Sequence, residues 1–299
     1  MKTSVIIPTY SGGEKLATTV KSLCAGTARF EELIIVVDND DAHVVVPDHT
    51  VTKTGTTLIV IRQKNSGRAA ARNAGASAAT SGLLLFIDDD MICSADLVSK
   101  HVQFHETNPA CILSGSGFRN PAEAKSGFDR FIIRQEESWR TSMIAKGEVT
   151  FEKFSFTACN LSLPREVFSL LRGFDEELSD AEDLDFGVRA LQKDIRVFYD
   201  GGIIAFHNDF PSPGDFIRRS NEYAKARTAL LRLRPDYQQL LPSLVIPKNG
   251  PLKRFFLRIA KKTVCRGVLE NGPLFRLLPL RMKFFFYRLT LSAFSVVNE

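Results

Sequence analysis

LLLFIDDDM, residues 83–91, runs five apolar side chains directly into three consecutive aspartates. An uninterrupted apolar run of this length reads as a strand buried on both faces, delivering its last residues to the edge of a sheet. Three adjacent carboxylates repel one another and resist burial unless positive charge neutralises them. A divalent cation does so economically, and hard oxygen ligands suit Mg²⁺ or Mn²⁺ held together with substrate phosphates. The same acids also suit a solvated loop capping a following helix, so on this stretch alone both readings stand.

Outward from it, SVIIPTY (4–10) and ELIIVVD (32–38) read as two further strands ending in polar residues, with a helix expected over Glu14 to Leu23 between them. Another strand is expected over Thr57 to Arg62 and an alanine-rich helix over Gly67 to Ala79, so that LLLFID becomes the fourth strand. This alternation predicts βαβ units: an α/β fold with a mostly parallel, Rossmann-like sheet flanked by helices. Ligands of such sheets bind beyond the carboxyl ends of the strands, where Asp38, Asp40 and the Asp88 cluster fall. Between Ser94 and Phe156 the pattern gives a helix over Asp96 to His105 and nothing regular around Phe128 to Trp139. A strand (Thr157 to Leu163), two helices (Arg165 to Leu170, Asp183 to Gln192), a strand (Arg196 to Tyr199) and one more ending at His207 follow. Residues 1–210 are thus expected as one α/β domain and 211–299 as a helical, basic C-terminal region, with the Pro and Gly of 247–251 as a further boundary.

Three more motifs bear on chemistry. VVDND (36–40) brings Asp38 and Asp40 to the sheet edge, where carboxylates can accept hydrogen bonds from a ribose or base, although Asp and Asn also simply form turns. NSGRAAARNAG (65–75) joins a glycine turn to a helix carrying Arg68 and Arg72 one turn apart; a helix N-terminus with two guanidinium groups suits a diphosphate, and equally suits an ordinary surface helix. GFDEELSDAEDLDFGVRAL (173–191) sets Glu182, Asp183 and Asp185 at a helix start, where the dipole favours acid and where one carboxylate could serve as a general base. His207 follows the apolar IIAF and precedes a proline-rich turn, a setting in which a lone histidine is usually structural.

The net charge of +5 divides unevenly: residues 1–210 sum to −7, 211–249 to +4 and 250–299 to +8. Such a basic end meets something anionic. Ten Lys or Arg face two Glu in 250–299, interleaved with Phe and Leu, and an interfacial helix hairpin on a membrane surface fits this pattern. The competing arrangement packs those Phe residues on the rest of the protein and leaves the basic residues solvated. Nucleic-acid binding is not expected, because no recognisable module accompanies the charge. Five scattered cysteines without a CxxC pair argue against a disulfide framework or zinc knuckle, and fit a reducing cytoplasm. No signal peptide or run of about 18 apolar residues is apparent, so export and a spanning helix are not expected.

Taken in order, SVIIPTY, VVDND, NSGRAAARNAG, LLLFIDDD, CNLSLPREVF, GFDEEL, AEDLDFGVRA and FH resemble the family 2 glycosyltransferases of the GT-A fold, over about residues 3–210. The resemblance implies a metal-dependent, inverting transfer of sugar from a nucleotide-sugar donor, most commonly a UDP-sugar, with Mn²⁺ or Mg²⁺ as cofactor. It implies that Pro8, Tyr10, Asp38, Asp40, Arg68, Arg72 and Asp88 line the donor site, with Asp38 and Asp40 on the base or ribose and Arg72 near the nucleotide. Asp88 is then shared between ribose and metal, Asp90 is the principal metal ligand and His207 assists the metal or diphosphate. Asp183 becomes the base that deprotonates the acceptor hydroxyl, with Glu182 as the alternative. The QXXRW motif of processive relatives is absent, FIRRS (216–220) being a poor substitute, so one sugar per encounter is expected. The implied acceptor is a glycan or lipid-linked molecule of the cell envelope, met by a cytoplasmic enzyme held peripherally at the inner face of the plasma membrane through 250–299. Two rivals remain: a nucleotidyltransferase, which would carry a glycine-rich basic loop where this chain has PTYSGGEKL, and a degenerate sugar-nucleotide-binding tether, which the joint presence of both acidic motifs disfavours.

Overall fold

The computed structural model describes residues 1–39, 45–47, 51, 55–144, 147–242 and 278–294. Asp40 and residues 250–277 and 295–299 of the basic tail lie outside the described residues. The chain divides into two compact units, one of Met1–Asn120 with Ser138–Asp209, the other of Pro121–Glu137 with Phe210–Glu299.

The first unit is built on one sheet. Its elements are β1 (Thr3–Thr9), α1 (Gly13–Cys24), β2 (Glu32–Asp38), β3 (Thr57–Gln63), α2 (Arg68–Ala78), β4 (Leu83–Ile87), β5 (Met91–Cys93), α3 (Leu97–Thr107) and β6 (Ile112–Arg119). After α4 (Gly127–Ile144), which straddles both units, come β7 (Glu148–Val149), β8 (Asn160–Pro164), α5 (Arg165–Leu170), α6 (Glu182–Gln192) and β9 (Val197–His207). The strands stand in the order β3-β2-β1-β4-β8-β6-β9-β5, with β7 on β9. β3, β2, β1 and β4 are mutually parallel, β8 runs against β4 and β6, and β6 is parallel to β9, so six of the nine strands share one direction.

The continuous apolar runs mark strands covered on both faces. Ile6, Ile34 and Phe86 point into one core with Phe168, Phe174 and Phe186, while Val5, Ile7, Leu33, Ile35 and Leu85 point into the other with Leu16 and Leu97. Phe86, Phe168, Phe174 and Phe186 interlock, with Phe174 and Phe186 ring centres 4.6 Å apart. The alanine-rich face of α2 lets that helix press on the sheet: a Cβ at Gly75 would lie 2.4 Å from Ile6 Cγ2. β3 at the edge alternates between exposed and half-buried residues, as an edge strand does.

The sequence pattern and the structure differ in the middle of the chain. β6 reads ILSGSGFR, poor in β-branched residues, because Gly115 and Gly117 pass against β8; a Cβ there would meet Asn160 Nδ2 or Cys159 Sγ at 2.3 Å. The two strands expected around Tyr199 and before His207 form one, β9, whose pairing with β6 slips between Gly115 and Ser116, opposite Asp200 and Ile204. The irregular stretch around Phe128 is the helix α4.

Among the described residues the second unit is helical. Besides the start of α4 it holds α7 (Pro213–Leu233), the short α8 (Tyr237–Leu240) and α9 (Leu280–Phe294). Ser212 caps α7 by accepting from the Asp215 N–H at 3.1 Å, with Pro213 in the first turn. Phe128, Phe131, Ile132 and Tyr287 form its core, with Phe216 and Phe284 packed against them. Among the described residues no helix is long and apolar enough to cross a membrane.

Candidate functional site

The carboxyl ends of β1, β2 and β4 meet at one edge of the first unit, since β1 pairs with both of the others. Pro8 pairs with Val36 near the end of β1, and Tyr10 beyond it is exposed, its carbonyl accepting from Asn39 Nδ2 at 2.7 Å. Asp38, the last residue of β2, is buried and already engaged. Its Oδ1 accepts from Gln63 Nε2 at 2.9 Å and from the Ser66 N–H at 2.8 Å, and its Oδ2 accepts from the Gly67 N–H at 2.8 Å. Asp38 therefore ties down the turn that leads into α2. Gly67, at φ 92°, makes the turn into that helix in a conformation that favours glycine. Arg68, half-exposed at the helix start, lies 3.5 Å from Asp180.

Arg72, one turn further, is buried and bridges two motifs. Its guanidinium donates to Asp88 Oδ1 at 2.8 Å and to Glu182 Oε1 at 2.6 Å, and stands 5.5 Å from the centre of the Phe174 ring. Burial works against its charge, but Asp88, Glu182 and Asp183 more than compensate and hold it cationic. Glu182 Oε2 accepts from the Ala181 N–H at 3.1 Å, so both of its oxygens are engaged. Ala181 reaches this geometry at φ 103°, a conformation that costs a non-glycine residue of order 1–3 kcal/mol. Asp183 accepts from the Leu184 N–H at 2.8 Å and remains partly exposed. Burial, and then the neighbouring Glu182 carboxylate, push its pKa up to about 6 against the pull of Arg72. Asp185, fully buried, pairs instead with Arg189, which donates to the carbonyls of Leu171 and Gly173; this clamp fixes the turn before α6.

The three aspartates after β4 part company. Asp88 faces Arg72. Asp89 turns inward and accepts from the Thr9 hydroxyl; burial pushes its pKa up to about 6. Asp90 faces the end of β9, with its Oδ1 3.1 Å from His207 Nδ1. Burial would raise the Asp90 pKa, but the His207 contact and nearby cations bring it below the usual carboxylate range. Asp209 completes a constellation: ligand atoms of Asp90, His207 and Asp209 all lie within 4.8 Å of one another. Asp209 also pairs with Arg119 at 3.1 Å and Lys15 at 3.6 Å.

The structure thus brings Arg72, Asp88 and Glu182 into contact with Asp183 beside them, and gathers Asp90 and His207 into a second group. Asp88 is not part of that second group. Two participants escape the sequence reading: Asp209, whose only signal is its place two residues after His207, and Thr9, whose hydroxyl anchors Asp89 and accepts from the Gly12 N–H at 2.9 Å.

Residues 4–170 match the family model described as Glycosyl transferase family 2. No curated protein matches the chain significantly. Among solved structures, S. aureus TarS 1-349 in complex with UDP is similar over 96% of this chain and 89% of its own, at 18% identity and a TM-score of 0.56. The same fragment in complex with UDP-GlcNAc is similar over 99% and 90%, at 15% identity and a TM-score of 0.56. The chain spans about half of the longer S. aureus TarS structure, covering 54% of it at 16% identity and a TM-score of 0.54. At these identities the likeness is one of fold.

Proposed function

The chain belongs to glycosyl transferase family 2, and from that premise we propose that it moves one sugar from a nucleoside-diphosphate sugar, foremost a UDP-sugar, to a hydroxyl of a cell-envelope glycan or lipid-linked acceptor, inverting the anomeric centre. The observation that carries this reading is the Arg72 bridge between Asp88 and Glu182, which sets Asp183 beside the strand end bearing Asp88 and Asp90. The UDP and UDP-GlcNAc held by the similar TarS structures support a UDP donor. Tyr10, exposed just beyond β1, would meet the base, and Asp38 shapes the neighbouring loop before α2.

Asp90, His207 and Asp209 would hold the divalent ion. Two carboxylates and one imidazole within 4.8 Å form a donor set that fits Mn²⁺ better than the all-oxygen shell preferred by Mg²⁺. When bound, the ion would offset charge developing on the leaving diphosphate. Asp183 removes the proton of the acceptor hydroxyl as its oxygen forms the new bond to the anomeric carbon and the bond to the diphosphate oxygen breaks. Glu182, with both oxygens engaged, serves as the support that keeps Asp183 directed and its pKa raised. The missing QXXRW motif supports release after a single transfer. The basic tail supports a peripheral position at the cytoplasmic face of the plasma membrane, where lipid-linked acceptors are presented.

The test is titration calorimetry of UDP, GDP and TDP with Mn²⁺, followed by a hydrolysis screen over nucleotide sugars. Binding of UDP and its loss in Asp90→Asn are expected; failure of all three nucleotides would remove the donor-site assignment.

A further inference from the structure

Helix α9 (Leu280–Phe294) faces two surroundings at once. On one side Tyr287 is buried, its ring 4.9 Å from Phe128 and 5.3 Å from Phe131, and Phe284 meets Phe131 at 5.4 Å. On another side Phe285 is 62% exposed and Met282 47%. Arg281, Phe285 and Arg288 stand at i, i+4 and i+7 and so share this outer face, with Met282 three residues before Phe285. The outer face is therefore an apolar pair, Met282 and Phe285, edged along one side by two exposed arginines.

Large apolar side chains held in water forgo about 25 cal/mol for each Å² that burial would remove. Charge decides what covers them. A second copy of this helix would bring Arg281 and Arg288 against their own kind, which is unfavourable. An anionic surface receives both arginines, and the ten basic residues against two acidic ones in 250–299 extend the same complementarity. We propose that the outer face of α9 docks on an anionic lipid surface, Met282 and Phe285 entering the headgroup boundary while Arg281 and Arg288 lie among the phosphates. This rests on the membrane-surface position given above and names the face that makes the contact. An amphipathic helix of this kind lies in the plane of the interface, its apolar side about 5–10 Å deep. The inner face stays packed on α4, so docking needs no unpacking of the Tyr287 cluster.

The full chain is sedimented with vesicles of phosphatidylcholine, with or without phosphatidylglycerol. Wild type is expected to bind the anionic vesicles and to be released by salt. Met282→Ser/Phe285→Ser should weaken that binding, and Arg281→Glu/Arg288→Glu should weaken it by about tenfold or more, given roughly 1 kcal/mol per basic residue lost and the repulsion added. Both variants should keep the wild-type thermal midpoint and UDP affinity. Wild-type binding that persists unchanged in both variants would place the contact elsewhere in 250–299 and overturn the assignment of this face. Absence of wild-type binding would remove the membrane-surface reading itself, and loss of self-association in the variants would identify a second copy as the occupant.

Discussion

Arg72 holds its position because two carboxylates from distant parts of the chain, Asp88 after β4 and Glu182 at the start of α6, both need it. Removing one partner of a buried pair leaves an uncompensated charge, at a cost of about 3–5 kcal/mol. Asp88 is partly exposed, so Arg72→Met should fall near the lower end of that range, read from chemical denaturation, and Arg72→Lys should recover only part because one ammonium cannot span both acids. Asp183 carries a different expectation. Asp183→Asn should lower kcat by about 10²–10⁴-fold while UDP affinity stays at the wild-type value. The pKa of Asp183 is raised to about 6, and a base works deprotonated. The rate should therefore fall as pH drops through about 6, and Glu182→Gln, which removes the carboxylate that helps raise that pKa, should shift the acid limb to lower pH.

At the scale of elements, close approach of backbones decides what the sequence pattern reveals. A Cβ at Gly115 would lie 2.3 Å from Asn160 Nδ2 and 2.8 Å from the Ile203 carbonyl oxygen, so Gly115→Ala should cost about 1–3 kcal/mol through overpacking, measured by urea unfolding. This requirement also hid β6: a strand that must carry glycine and serine to pass its neighbours loses the β-branched signature by which strands are read. β1, β2 and β4 were legible because burial on both faces demands unbroken apolar runs. α4 was not, because its i, i+3, i+4 stripe of Phe128, Phe131 and Ile132 is short and runs at once into the polar Arg134 to Ser138. The site followed the same rule. Asp88 and Asp90 follow a strand end, Asp183 stands at a helix start and Arg72 lies one turn into α2, positions that the local pattern fixes. Asp209 joins Asp90 only through the antiparallel pairing of β5 with β9, which puts Met91 opposite His207.

Across the whole molecule, a buried polar network ties the sheet to α3. His101 Nε2 lies 2.9 Å from Asn160 Oδ1, while Ser162 Oγ lies 2.7 Å from His101 Nδ1 and 2.8 Å from His105 Nε2. Burial pushes both imidazoles down to about 4, so the unfolded chain binds more protons than the folded one between the usual histidine value and that point. Their contribution to stability is therefore complete above about pH 6.5 and is lost as pH falls toward 4, each histidine giving up about 1.4 kcal/mol for every pH unit crossed on the way. Asp89 and Asp183, both raised to about 6, act in the opposite sense, so the comparison must be between variants. His105→Gln should flatten the fall in thermal midpoint with acid relative to wild type.

Asp38 gives the sheet edge a direction. Its two carboxylate oxygens accept from the amides of Ser66 and Gly67, which fixes a protein anion at the end of β2 just before α2 begins. On the proposed function, the charge of Asp38 would disfavour phosphate at the end of β2 and leave it to the side of Asp90, His207 and Asp209, where a bound cation would meet it. A donor with a neutral end and an anionic end would then have one orientation in which each end finds its match, set by a side chain that need never touch the reacting bond.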